Sequence, residues 1–245
     1  MAFSIKIRVT AHDIDTNCLA TPTSVAKYMM EAVDSNMLAC SPSYQELMNK
    51  GLSFVVSRNS IQVFRPLKEY EEYTVETWAT PSKSVSFPRS YRIKSGEETV
   101  AAGLAIWALI DQNEGRLVKG TDFSVEGYGI GEQIELELPP RFRLPSDKDF
   151  EKVGEKQVLY SDCDRNFHMN NTKYYDMLCD YIPDRASVYM SSAMINFMSE
   201  APLGCKLDVF ISKGETEGDE TVYYFYTEAE GKNNIQARIG VKSLI

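Results

Sequence analysis

The chain has 245 residues, enough for one large domain or two compact ones of about 100–150 residues each. Its 43% hydrophobic and 25% charged residues are those of a globular protein, which excludes a disordered chain. A net charge of -9 argues against a general nucleic-acid binder, because neutralising phosphates requires a basic surface.

In chain order, the first fifteen residues lack a charged segment followed by an apolar one, so no secretory signal is expected. The longest apolar run, Val100 to Ile110, is about half a bilayer crossing and reads as a buried strand, so no stable membrane insertion is expected. Five scattered cysteines (Cys18, Cys40, Cys163, Cys179, Cys205) form no C-x-x-C pair and imply reduced thiols in a cytoplasmic protein, with no metal site.

An internal repeat organises what lies between. Asp13, Asp15 and Asn17 match Asp162, Asp164 and Asn166 at a spacing of 149. Lys27-Tyr28 matches Lys173-Tyr174 once three extra residues are allowed in the first copy. After the first copy, Val25, Tyr28, Met29 and Ala32 mark the apolar face of a helix that Thr23 or Ser24 can cap. A second short helix is expected from about Ser43 to Lys50, with Gly51 as its stop. Four strand-like segments follow, within residues 53–64, 73–80, 87–94 and 99–111.

The second copy repeats this order. Asn170 or Asn171 can cap a helix through Tyr174, Met177 and Leu178 that stops before Pro183. Strands are expected within 187–198, 205–212, 221–229 and 235–244. Gly127 to Asp149, with Pro139-Pro140 and Pro145, reads as a linker. The predicted class is α+β, with two units (1–128 and 151–245) joined by a linker over 129–150. Each unit is an antiparallel sheet wrapped around a helix.

The chemistry concentrates between Tyr160 and Thr172. Asp162, Asp164, Asn166, His168, Asn170 and Asn171 fall within ten residues, and in an extended chain Asp164, Asn166 and His168 would point the same way. Asp-x-Asp-x-Asn also opens a calcium loop, but that loop needs glycine at its sixth place and glutamate at its twelfth. Here Phe167 and Lys173 stand there, and in the first copy Cys18 and Ser24. Helix capping accounts for Asn170 or Asn171 and for the first copy, which has Ala20 or a neighbour in the place of His168. A catalytic site accounts for the whole cluster, with His168 as the group that titrates near neutral pH.

The D-x-N-x-H-x-N-N run with its following Lys-Tyr resembles the acyl-carrier-protein (ACP) thioesterases of plants and bacteria, which are tandem hotdog proteins. Ser57-Arg58, Thr77-Trp78, Ile106 to Asp111 and Asn196 to Glu200 extend the resemblance over nearly the whole chain. Two positions depart from it: Phe54 replaces a tryptophan, and Ala201 stands where the family often has a cysteine after the glutamate.

The resemblance implies a catalytic set of Asp164, Asn166, His168 and Glu200, no cofactor, and acyl-ACP as the partner. Homodimerisation stays open. It implies hydrolysis of fatty acyl-ACP to free fatty acid, which ends fatty acid synthesis. An acyl-CoA thioesterase or a hotdog hydratase would use the same fold. His168 and Glu200 would deprotonate a water, and Asn166 would position it or the substrate carbonyl. N–H groups at the helix start (171–182) would help to stabilise the oxyanion, and Asp164 would orient Asn166 or His168, with direct attack by Asp164 left open. The first half would hold the acyl chain, with Trp78 or Trp107 as candidate walls. His12 is expected to have no catalytic role. An acidic carrier meeting an acidic protein needs a local basic patch, for which Arg89, Arg92 and Lys94 are candidates.

Overall fold

The computed structural model describes residues 2–244. The first half contains β1 (Phe3–Arg8), α1 (Pro22–Ala39), α2 (Tyr44–Asn49), β2 (Leu52–Val63), β3 (Glu72–Ala79), β4 (Phe87–Ser95), β5 (Glu98–Asp111) and the short β6 (Arg116–Leu117). The second half contains β7 (Phe150–Gln157), α3 (Lys173–Cys179), β8 (Val188–Phe197), β9 (Lys206–Ser212), the short β10 (Glu215–Glu217), β11 (Glu220–Ala229) and β12 (Lys232–Ser243).

All paired strands lie antiparallel in one sheet, ordered β1-β3-β4-β5-β2-β8-β12-β11-β9-β7. The order is palindromic. Reading outward from the centre, β2, β5, β4, β3 and β1 answer to β8, β12, β11, β9 and β7. The two expected units are present, but their sheets join where Arg58 to Gln62 of β2 pair with Ser192 to Asn196 of β8. The outermost strands, β1 and β7, were not expected. Phe3, Ile5 and Ile7 alternate with exposed Ala2, Ser4, Lys6 and Arg8, whereas β7 carries Glu151, Lys152, Glu155 and Lys156 and has little strand character.

The apolar helix face holds. Val25, Met29 and Ala32 of α1 are buried, and Val33 and Met37 continue the stripe. Its cap is Thr21, not Thr23 or Ser24: the Thr21 hydroxyl accepts from the Ser24 N–H (3.2 Å), and Pro22 occupies the first turn, where a missing N–H costs nothing. α1 seats closely because β5 has Gly103 beneath it. A Cβ there would lie 3.0 Å from the Met29 sulfur and 3.1 Å from the Ser60 carbonyl oxygen. α2 begins with a capping box between Ser43 and Glu46, and Gly51 follows it in the left-handed region. The β11–β12 turn places Glu230 and Gly231 at positive φ (51° and 75°), as a two-residue hairpin between right-twisted strands requires.

The segment expected as a linker is strapped across the sheet. The indole N–H of Trp78 donates to the Glu132 carbonyl (2.7 Å), and the Glu137 N–H donates to Gln62 (2.9 Å). Arg58 donates to the Pro140 carbonyl (3.0 Å) and Asn196 to that of Phe142 (3.4 Å). The strap therefore crosses from β3 through β2 to β8, over the joint between the halves. No helix among the described residues is long and apolar enough to cross a membrane.

Candidate active site

The repeated segments form the same turn twice. In the second copy the Asp164 N–H donates to the His168 carbonyl (2.8 Å), and Phe167 closes the turn at φ 61°. One oxygen of the Asp164 carboxylate accepts from the N–H groups of Asn166 (2.8 Å) and His168 (3.4 Å). In the first copy the Asp15 N–H donates to Leu19 (2.8 Å), Cys18 has φ 58°, and the Asp15 carboxylate accepts from Asn17 (2.8 Å) and Leu19 (3.3 Å). Leu19, the neighbour of Ala20, therefore stands where His168 does.

This geometry corrects the extended-chain reading of Asp164, Asn166 and His168. The segment is a tight turn, and the Asp164 carboxylate is engaged by the turn's own N–H groups, an Asx arrangement that needs no chemistry to explain it. Cys163 and Met169 flank the turn as a two-residue bridge, and Ala201 accepts from the Met169 N–H (2.8 Å). His168 pairs in the same way with Pro202, which brings the loop after β8 alongside. The imidazole Nε2 of His168 consequently lies 3.4 Å from Oε2 of Glu200. A strong charge-assisted bond is about 2.7–2.9 Å, so this separation suits two groups that share a third atom.

Asn234, which the sequence reading missed, sets the position of Glu200. It is the extra residue of a bulge in β12 and is fully buried. Its side-chain amide donates to the Ser199 carbonyl (2.6 Å), and its own carbonyl accepts from Met198 (2.9 Å) and Ser199 (3.1 Å). Tyr174 (2.9 Å) and Thr227 (3.0 Å) donate to its side-chain oxygen. Three hydrogen bonds with Asn234 thus clamp Met198 and Ser199, just before Glu200, while Tyr174 and Thr227 hold Asn234 itself in place. The only sequence signal was an asparagine inside a strand, where asparagine is disfavoured.

Asp164, Asn166, His168 and Glu200 all line a cleft of about 520 Å³. The far wall comes from the first half: Met30 of α1, Phe54 and Val56 of β2, and Trp107 and Ile110 of β5. Lys27, Glu31 and Asp34 line it too, a stripe at helical spacing beside the apolar face already noted. Behind Phe54 and Trp107 lies a smaller apolar cavity that reaches Val33, Met37, Phe87 and Arg89. Phe54 meets Phe87, Trp107 and Phe123 edge to face, with centroids 5.5, 6.3 and 5.6 Å away.

Several expectations are corrected. Trp78 faces the strap and is not among the cleft-lining residues, whereas Trp107 is. Helix α3 is only seven residues long, and the N–H groups of Thr172 and Lys173 at its start are already taken by Asn170, so these two are not spare oxyanion donors. The side-chain amide of Asn166 is exposed and has no protein partner among the described residues. The docking candidates fail as a patch: Arg89 is buried against Asn36 and Thr77, Arg92 pairs with Glu76 over Trp78, and Lys94 pairs with Glu97. His12 is exposed and lies outside the cleft lining.

No cysteine lines the cleft, and the three nearest the second copy are poor nucleophiles. Partial burial and the carboxylates of Asp162 and Asp164 push the Cys163 thiol up, burial chiefly does the same to Cys205, and Cys179 is pushed up to about 12.

The sequence of residues 1–128 matches the acyl-ACP thioesterase N-terminal domain, and that of residues 146–242 matches the C-terminal domain. The chain belongs to the acyl-ACP thioesterase family. Its fold agrees with solved structures of that family. One is a 12:0-ACP thioesterase from Umbellularia californica, with TM-score 0.82 and 18% identity over 99% of this chain and 94% of the other. Another is an acyl-ACP thioesterase from Bacteroides thetaiotaomicron, with TM-score 0.85 and 17% identity over 98% of both chains. In sequence it is 24% identical over 212 residues to a chloroplastic acyl-[acyl-carrier-protein] hydrolase of Cuphea viscosissima, covering 78% of this chain and 48% of the relative. A chloroplastic oleoyl-ACP thioesterase of Coriandrum sativum is 22% identical over 207 residues, covering 75% and 54%. The chain spans about half the length of these curated relatives.

Proposed function

We propose that this thioesterase-family chain hydrolyses fatty acyl-ACP to free fatty acid and carrier protein, the step that ends fatty acid synthesis. The observation that carries the reading is the His168–Glu200 pair, 3.4 Å apart at one end of a cleft whose far wall is apolar and built by the other half. A thioester is activated towards acyl transfer, so catalysis reduces to holding a water, accepting its proton and stabilising the oxyanion.

In this mechanism, Glu200 and His168 hold the water between them, and one takes its proton as the oxygen adds to the thioester carbonyl. The Asn166 amide donates to the resulting oxyanion. Collapse breaks the carbon–sulfur bond, and the proton passes to the departing thiolate. Asp164 positions the turn that carries Asn166 and His168. The acyl chain runs along Met30, Phe54, Val56 and Trp107. Residues 1–128 thus act as the acyl-binding unit, 129–150 as the strap and 151–245 as the catalytic unit, although the cleft takes residues from both. Five free thiols suit a reducing cytoplasmic setting.

The test is incubation with acyl-ACP of graded chain length, with release of free fatty acid as the readout. Turnover of acyl-ACP that is lost in His168→Ala is the expected result. No release from any acyl-ACP overturns the reading.

A further inference from the structure

Twelve large apolar side chains are exposed among the described residues, and five of them crowd the catalytic end: Leu159, Tyr160, Phe167, Met198 and Leu203. Tyr160 is 78% exposed and Phe167 58%. Four adjoin one another along the backbone. The Leu203 N–H donates to the Phe167 carbonyl (2.8 Å), and the Gly204 N–H donates to the Val158 carbonyl (2.9 Å), which brings Leu159 and Tyr160 alongside Leu203. Phe167 lies between the cleft residues Asn166 and His168, and Met198 lines the cleft itself. The result is an apolar collar on the rim of the site, not a scatter of single residues.

The charges at the rim have the opposite character from the expected basic patch. The cleft lining carries two cations, Lys27 and Arg165, against four carboxylates, Glu31, Asp34, Asp164 and Glu200. Arg165 is further occupied over the Tyr44 ring, 4.2 Å from its centroid. An acyl group can reach His168 and Glu200 only if its carrier rests at this rim. Coenzyme A would bring a pyrophosphate and a 3′-phosphate to a net-acidic surface, which repels them. A carrier protein is acidic too, but it brings only one phosphodiester to the rim itself and can offset its longer-range repulsion, which salt screens, by laying apolar surface beside its pantetheine arm.

We infer that the collar of Leu159, Tyr160, Phe167, Met198 and Leu203 is the docking surface for the carrier protein, which it holds by apolar contact. This inference rests on the function proposed above and names how its partner is recognised.

The test compares dodecanoyl-ACP, dodecanoyl-CoA and dodecanoyl N-acetylcysteamine with the wild type and a Tyr160→Ser/Leu203→Ser variant. Both positions are exposed, so folding is retained, and the N-acetylcysteamine substrate reports the intact site. KM for dodecanoyl-ACP should rise tenfold or more, while turnover of N-acetylcysteamine thioester stays unchanged. Wild-type kcat/KM for dodecanoyl-ACP should stay level or rise between 50 and 300 mM salt, because apolar contact is not screened. An unchanged KM for dodecanoyl-ACP, an equal loss on both substrates, or a severalfold fall with salt overturns the inference and leaves the hydrolysis standing. Wild-type hydrolysis of dodecanoyl-CoA as efficient as that of dodecanoyl-ACP also overturns it. A wild type that releases no fatty acid from any of the three overturns the proposed function instead.

Discussion

Thr23 and Thr172 hold the same place in the two copies of the repeat, 149 positions apart, and they touch. The Thr23 hydroxyl donates to the Thr172 carbonyl at 2.9 Å. Around this contact the Thr23 N–H donates to the Asp176 carboxylate (2.9 Å), and the Asp176 N–H donates to the Thr23 hydroxyl (3.2 Å). The pseudo-twofold relation between the halves passes through this buried point. Thr23→Val keeps the shape and removes the hydroxyl, which leaves the Asp176 N–H unpaired and the Thr172 carbonyl with only the Tyr175 N–H at 3.4 Å. That should cost about 1–3 kcal/mol. Thermal unfolding should show Tm lowered by several degrees, with kcat of the remaining folded enzyme unchanged.

His168→Ala and Glu200→Ala should each lower kcat by about 10²–10⁴, with Tm within a degree or two of the wild type, because both side chains face the cleft. Cys163→Ser serves as the contrast. With its thiol pushed up, Cys163 should be dispensable and the variant should retain most activity. Single-turnover assays on folded protein decide the matter, and near-normal turnover in His168→Ala would sink the mechanism.

Phe54 separates the main cleft from the apolar cavity behind it. Phe54→Val should join the two and move the preferred acyl chain upward by about two carbons or more, at some cost in stability. A chain-length series of acyl-ACP substrates provides the check. A preference that stays fixed would mean that the rear cavity is closed by something other than Phe54.

Asn234 acts on Glu200 through the backbone, so Asn234→Ala should lower both Tm and kcat. The buried groups it leaves unpaired cost about 1–3 kcal/mol each. Asn234→Asp keeps the acceptor for Tyr174 and Thr227 but removes the donor to Ser199. It should keep more stability than the alanine variant while still losing turnover. Equal kcat in wild type and Asn234→Asp would show that the Ser199 contact does not matter to the site.

Asp162 gives the fold an acid sensitivity. Burial pushes its carboxyl up, but the Lys156 ammonium at 2.7 Å and the Leu159 N–H at 2.9 Å outweigh burial and hold it below the ordinary range. An acid whose folded value is depressed contributes stability in full above its unfolded value, about pH 4. That contribution is lost as pH falls through the lower folded value. Wild type and Asp162→Asn should therefore differ most in Tm above about pH 4 and converge below it. A difference independent of pH between 2 and 6 would remove the ion pair from the account.

The repeat, the eight central strands and the apolar face of α1 were legible because each follows a local rule: matched spacing, β-branched and aromatic runs, or period 3.6. The edge strand β7 was not, because its stability comes from pairing with β9, and Glu151, Lys152 and Glu155 conceal it. Of the proposed catalytic set, Asp164, Asn166, His168 and Glu200 were named from the resemblance, and all four line one cleft. Their geometry was not legible, because it depends on Phe167 entering the left-handed region and on a bridge between His168 and Pro202, contacts that no periodicity records. Asn234 was hidden for the same reason. Its importance arises from a register shift between β11 and β12, which single residues do not announce.

The β2–β8 joint also dictates an order of assembly. β2 is complete by Val63, yet its partner along Arg58 to Gln62 does not exist until Asn196 has been synthesised. During that interval a nascent chain carries a long unpaired edge flanked by apolar residues such as Ile61 and Val63, the kind of edge that recruits other chains. Closing it requires bringing together residues more than half the chain apart, which slows folding of a sheet already rich in non-local pairs. Expression of the first half alone should therefore give aggregates, and the newborn protein is most exposed to misassembly at the seam that later becomes the centre of its sheet.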